Sequence, residues 1–146
     1  MERPLSIEAV LLPLFVQVVL TFALHYWMGF ARVSSIRRGK VKVKDIALRE
    51  PNWPARVTQI ANAFHNQLEL PLLFYVLVAL TLIARKADLL FVMMSWLFVA
   101  FRFVHAYIFV TSNRVLRRFQ AFAAGSLVLF LMWIIFVVRV LLGAFG

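Results

Sequence analysis

Apolar residues run almost unbroken over four stretches, 7–30, 57–84, 89–111 and 119–142, and the charged residues collect in the gaps around them. Each stretch meets or exceeds the roughly 20 residues a helix needs to cross ~30 Å of hydrocarbon. The pattern predicts an all-α integral membrane protein of four helices, one membrane domain over residues 1–146, with a single long connection at 31–56. Pro13 and Pro71 fall inside predicted helices and should kink them. Pro71 has no N–H to offer the carbonyl of Gln67, so a bend is expected beside Glu69, where it would help open a polar cavity.

Composition leaves little room for a soluble domain: 64% of residues are hydrophobic and mean hydropathy is +0.89. The first apolar stretch outruns a secretory signal and has no small-residue cleavage site, so it is expected to be retained as a helix. Cysteine is absent. That excludes disulfides, Cys-ligated metal and a protein thiol nucleophile, and any sulfur chemistry would have to arrive on a ligand.

The net charge of +10 is distributed by membrane side, which argues for orientation rather than nucleic-acid binding. Arg32, Arg37, Arg38, Lys40, Lys42, Lys44, Arg49 and Arg56 follow the first span, and Arg114, Arg117 and Arg118 precede or open the fourth. The opposite side holds Arg3, Arg85, Lys86 and Arg139. By the positive-inside rule the 31–56 loop and the 112–118 turn face the cytoplasm and both termini lie outside. The loop, with Gly39, Pro51 and Pro54, is topogenic charge that also touches anionic lipid, or else a partly ordered lid over a cytoplasmic-facing site.

Polar residues inside the spans are costly in a bilayer and so carry the most information. Asn62, His65, Asn66 and Glu69 lie in the cytoplasmic half of the second span, Arg102 and His105 in the inner half of the third, and His25 and Arg32 at the inner end of the first. Arg117 and Arg118 open the fourth at the same depth. Asn62, Asn66 and Glu69 share one helical face, and Arg102, His105 and Phe109 share another that can oppose it. This convergence predicts one cytoplasmic-facing cavity, with a Glu69–Arg102 ion pair as the purely structural alternative. His25 is expected to pack between helices rather than bind a ligand.

The stretch from Arg56 through Asn62, His65, Asn66, Glu69 and Pro71, followed by Arg102-Phe-Val-His105, Asn113-Arg114 and Arg117-Arg118-Phe119, resembles the MAPEG family, the membrane-associated proteins in eicosanoid and glutathione metabolism. The resemblance spans essentially the whole chain. It implies a four-helix membrane bundle that assembles as a homotrimer, with glutathione sites at subunit interfaces open to the cytoplasmic side. It also implies that Asn66 and Glu69 hold the tripeptide, that Arg102 and His105 occupy the family's third-helix positions, and that Arg118, or next Arg117, stabilises the thiolate. The chain departs from glutathione-using members at Asn62 and His65, where an arginine is usual at one or the other, and at Phe109 and Phe122, which stand in place of tyrosines.

Chemistry suits these roles. Glutathione carries carboxylates that guanidinium forks bind, an amine that a carboxylate binds, and a thiol that a nearby cation activates. Arg102, Arg32 and Glu69 are the candidate binding groups. The leading expectation is a glutathione-dependent transferase or peroxidase acting on a small lipophilic electrophile or hydroperoxide, in a bacterial inner membrane, with membrane lipid and a homotrimer as partners. Its alternative is a non-catalytic lipid-binding or scaffold protein of the same fold. A haem or metal site on His25, His65 and His105 is a third reading, and no metal is expected under the first two.

Overall fold

A computed structural model describes residues 6–48 and 52–143. Arg3, Arg49 and Pro51, which entered the charge and loop readings, lie outside the described residues, as do the chain ends. The described residues form five α-helices: α1 (Ile7–Arg37), α2 (Ala55–His65), α3 (Leu70–Ile83), α4 (Leu89–Val110) and α5 (Val115–Gly143). Helices α2 and α3 are the two halves of one apolar stretch, Ala55–Ile83, so four segments are long and apolar enough to cross a membrane.

The spans start and stop where local chemistry allows. Ser6 opens α1 by accepting the Ala9 N–H on its hydroxyl at 3.3 Å. Asp88 opens α4 in the same way, with Oδ1 accepting the Phe91 N–H at 2.9 Å. Such caps satisfy donors that the first turn leaves without an intrahelical partner. The first helix runs seven residues past the apolar stretch, to Arg37, because 31–37 carries no breaker before Gly39, whose φ of +66° ends the run. The fourth span begins at Val115 rather than 119, which places Arg117 and Arg118 within its first turns.

Contacts between helix ends define an up-and-down bundle. At one end Gln59 Nε2 of α2 donates to the Phe109 carbonyl of α4 at 2.6 Å, and Arg56 donates to the Val110 carbonyl while its guanidinium lies 5.4 Å from the Trp27 ring of α1. At the other end Arg139 of α5 pairs with Asp88 at 2.7 Å. An apolar core fills the half nearer Asp88, where Phe74, Leu77 and Val78 of α3 meet Phe98 and Val99 of α4 and Val128, Leu129 and Met132 of α5. The side chains pointing away from the bundle are mostly large and apolar, as lipid contact requires.

Helices α4 and α5 approach closely. A β-carbon on Gly125 would stand 3.3 Å from the β-carbon of Phe101, an atom that cannot move without its helix. Gly125→Val should therefore cost ~1–3 kcal/mol by overpacking, read as a lower melting temperature in detergent.

The Asp88–Arg139 pair gives a pH signature. Partial burial pushes the Asp88 carboxyl up, but its bonds to Arg139 and the Phe91 N–H and the Arg139 charge outweigh this and hold it below the usual carboxylate range. Because the folded carboxyl is the more acidic, its stabilisation is complete above the unfolded value of about 4 and is lost as pH falls through the lower folded value. The two side chains are 42% and 35% exposed, so the pair contributes no more than ~1 kcal/mol. Asp88→Asn should lower the melting temperature by a few degrees at pH 7, with the difference from wild type shrinking as pH falls below about 4.

The loop after α1 is tied down rather than free. Its Val43–Ile46 turn is held by Asn52 Nδ2 donating to the Asp45 carbonyl at 2.6 Å, Val41 is buried, and Arg32 lies 5.1 Å from the Trp53 ring.

Candidate functional site

The second span does not merely bend at Pro71; it breaks. Helix α2 stops at His65, residues Asn66–Leu68 make one tighter 3₁₀ turn, Glu69 leaves helical geometry (φ −95°, ψ −102°), and α3 restarts at Leu70 with Pro71 in its first turn. Proline suits a helix's first turn because it has no N–H to satisfy there. A broken helix frees backbone carbonyls inside the membrane, where each needs a donor. Arg102 of α4 supplies one: its Nη2 donates to the Asn66 carbonyl at 2.7 Å.

A second polar pair braces the break from α1. Gln17 Nε2 donates to Gln67 Oε1 at 3.0 Å, and Gln67 Nε2 donates back to the Ala63 carbonyl at 3.2 Å, all fully buried. Sequence reasoning passed over Gln17. The available signal was a lone amide in an otherwise apolar helix, which seldom persists without a partner.

The break shapes a cleft of about 430 Å³ at the end of the bundle opposite Asp88. Asn62, His65, Asn66 and Glu69 form one wall, His105 and Phe109 of α4 the floor, and Arg118, Phe119 and Phe122 of α5 the other wall. Six of the residues singled out in the sequence, Asn62, His65, Asn66, Glu69, His105 and Arg118, thus share one space. Glu69, Asn62 and His65 are exposed there, whereas His105 is 3% exposed with Nδ1 unpartnered.

Arg118 is held in place on two sides. Its guanidinium carbon lies 4.1 Å from the centre of the Phe109 ring, and Nη1 donates to Asn113 Oδ1 at 2.5 Å. Asn113 adopts φ +46°, a left-handed conformation that asparagine tolerates better than most residues, and its N–H closes α4 on the Ile108 carbonyl at 2.8 Å. The Asn113 amide therefore orients the cation, and among the described residues its other guanidinium donors have no hydrogen-bond partner. Its role was visible in sequence only as part of the family pattern.

Other expectations need correction. Glu69 and Arg102 are not a contact ion pair: among the described residues the only pair within 4.0 Å is Asp88–Arg139. Arg102 is 1% exposed behind the cleft wall, with Nε and Nη1 unpartnered, because the freed Asn66 carbonyl lies closer to it than the outward-pointing Glu69 carboxylate. Arg32 stands apart over Trp53 with its Nε buried and unpartnered, and Arg117 is exposed outside the cleft. Among the described residues of the 31–56 loop, none lines the cleft. His25 packs against the Phe64 ring at 5.1 Å, and the described residues hold no group of three His, Cys, Asp or Glu able to bind a metal ion.

No curated protein and no solved structure matches the chain. The family model that does match is that of the MAPEG family, over residues 10–138, which takes in most of the first and fourth apolar segments, the whole of the broken second span and of the third, and every cleft residue. A match of that extent, on a helical bundle with four membrane-length segments, shows that the chain belongs to the MAPEG family.

Proposed function

We propose that the protein is a glutathione-dependent transferase or peroxidase acting on lipophilic electrophiles or hydroperoxides, with the cleft as its glutathione site. The observation that carries this reading is the pairing, in one cleft, of an exposed carboxylate, Glu69, with an oriented guanidinium, Arg118, across an aromatic floor. Glutathione needs both. Glu69 binds its α-ammonium, Asn62, Asn66 and His65 hold its peptide and carboxylate groups, and Arg118 faces its sulfur.

The chain has no cysteine, so the nucleophile is the ligand's own thiol, whose ordinary pKa near 8.5 leaves it mostly protonated at neutral pH. A guanidinium beside the sulfur favours thiolate, and the proton leaves to solvent. The thiolate then attacks the electrophilic carbon, forming a carbon–sulfur bond as the leaving group departs with its electron pair. The unpartnered His105 Nδ1 lies at the cleft floor, where a polar group of the ligand would satisfy it.

The exposure of Glu69, Asn62 and His65 in a single protomer supports assembly as a homotrimer in which a neighbouring subunit completes the cleft wall. The basic run around 31–56 supports a cytoplasmic position for the cleft end and an outside position for both termini. A reporter active only in the cytoplasm, fused at residue 146, should stay silent, and the same reporter inserted at Gly39 should be active; the reverse pattern would invert this orientation.

The alternative, a non-catalytic lipid-binding protein of the same fold, draws support from Phe109, Phe119 and Phe122, which line the cleft where hydroxyl-bearing side chains would suit a polar tripeptide. Turnover of halonitroaromatics and lipid hydroperoxides, assayed with and without glutathione, separates the two. Glutathione-dependent product is expected, and its absence across the panel would favour the lipid-binding alternative.

A further inference from the structure

A helix leaves the carbonyls of its last turn without donors from further along the same helix. At the end of α4 these belong to Tyr107, Ile108, Phe109 and Val110. The local turn serves two of them: the Thr111 N–H donates to the Tyr107 carbonyl at 3.1 Å and the Asn113 N–H to the Ile108 carbonyl at 2.8 Å. The other two are served from α2. Gln59 Nε2 donates to the Phe109 carbonyl at 2.6 Å and reaches the Thr111 carbonyl at 3.5 Å, while Arg56 Nη1 donates to the Val110 carbonyl. The end of α4 is therefore completed by another helix.

Phe109 and Asn113, at either end of this corner, are the two residues that hold Arg118. Gln59 binds Phe109 by its carbonyl, and the ring of the same residue lies 4.1 Å from the Arg118 guanidinium carbon. Its second contact, at Thr111, is two residues from Asn113, whose Oδ1 takes the Arg118 donor. Gln59 itself does not line the cleft. The far end of α2 is fixed separately, by Arg102 on the Asn66 carbonyl and by Gln17 on Gln67. Loss of the Gln59 tie would thus loosen the wall that carries the cation while Asn66 and Glu69 kept their own supports.

We propose that Gln59, backed by Arg56, is a positioning residue for Arg118: it fixes the corner from Phe109 to Asn113 against α2 and so sets where the guanidinium stands relative to a thiol bound on the α2 wall. The chemical part of this role rests on the glutathione reading of the cleft; the mechanical part does not. Position matters because a displacement of ~1 Å in a catalytic group can cost on the order of 10²-fold in rate. A helix cap that served stability alone would lower the melting temperature when removed and leave the thiol untouched.

Two measurements on the full chain in detergent separate these roles. The first needs no glutathione: the Arg118 Nε–H resonance in protein carrying isotope-labelled arginine, assigned by its loss in Arg118→Lys, should report restricted motion in wild type. Gln59→Met keeps the length of the side chain but has no donor, and it should set that resonance free. Gln59→Arg restores N–H donors and should return the restraint. The second measurement is made at saturating glutathione. There the bound thiolate of Gln59→Met should titrate about one pH unit above that of wild type, tenfold less thiolate near neutral pH. Its kcat should fall roughly tenfold with glutathione affinity held within a few-fold. An Arg118 resonance equally restrained in wild type and Gln59→Met would overturn the proposal, as would Gln59→Arg behaving like Gln59→Met, or a wild-type thiolate titration that Gln59→Met leaves in place. Release of the resonance by Gln59→Met, in a protein whose wild type forms no thiolate at saturating glutathione, would uphold the tie and refute the glutathione reading alone.

Discussion

Arg118→Ala should lower the rate of glutathione conjugation by on the order of 10²-fold or more, the effect of removing one preorganised group that stabilises developing or bound negative charge. The loss should fall mainly on kcat, because Arg118 acts on the thiolate rather than on the tripeptide's recognition groups. Two features sharpen the expectation. The guanidinium is fixed between the Phe109 ring and Asn113 Oδ1, so little reorganisation accompanies its action. Arg117, though adjacent, is exposed and outside the cleft, so Arg117→Ala should leave turnover within a few-fold of wild type. Asn113→Ala is the intermediate case: the cation remains but loses its orienting acceptor, so kcat should fall by less than in Arg118→Ala.

Glu69→Ala should act on the other side of the kinetic account. Among the described residues Glu69 makes no contact ion pair, and it is exposed on the cleft wall, so its removal should leave the melting temperature in detergent nearly unchanged. Binding should suffer instead. Loss of the carboxylate that receives the α-ammonium removes a charge-assisted hydrogen bond, about 1.5–3 kcal/mol, which corresponds to roughly 10–100-fold weaker glutathione affinity by calorimetry. If Glu69→Ala unfolded the protein while leaving the affinity of its folded fraction intact, the residue would be a structural one.

The four spans were readable from hydropathy because a bilayer imposes length and apolarity on any helix that crosses it. The depth of Asn62, His65, Asn66, Glu69, His105 and Arg118 followed from the alternation of spans, and these residues do meet in one cleft. What escaped was local. Sequence placed a kink at Pro71, but the extent of the break depends on donors from other helices, Arg102 on the Asn66 carbonyl and Gln17 on Gln67, which periodicity does not reveal. The same competition for the freed carbonyl explains why Arg102 sits behind the wall. Arg32 was assigned by depth alone, and depth does not distinguish a residue beside the cleft from one stacked on Trp53.

The central claim is that the cleft holds glutathione and shifts its thiol toward thiolate. It is tested most directly by ultraviolet difference absorbance of the purified protein at saturating glutathione near neutral pH, with the free tripeptide at equal concentration as reference. The account predicts an excess of thiolate absorbance in wild type that Arg118→Ala abolishes and Arg117→Ala preserves. No excess in wild type at saturation, or an equal excess in wild type and Arg118→Ala, would contradict it.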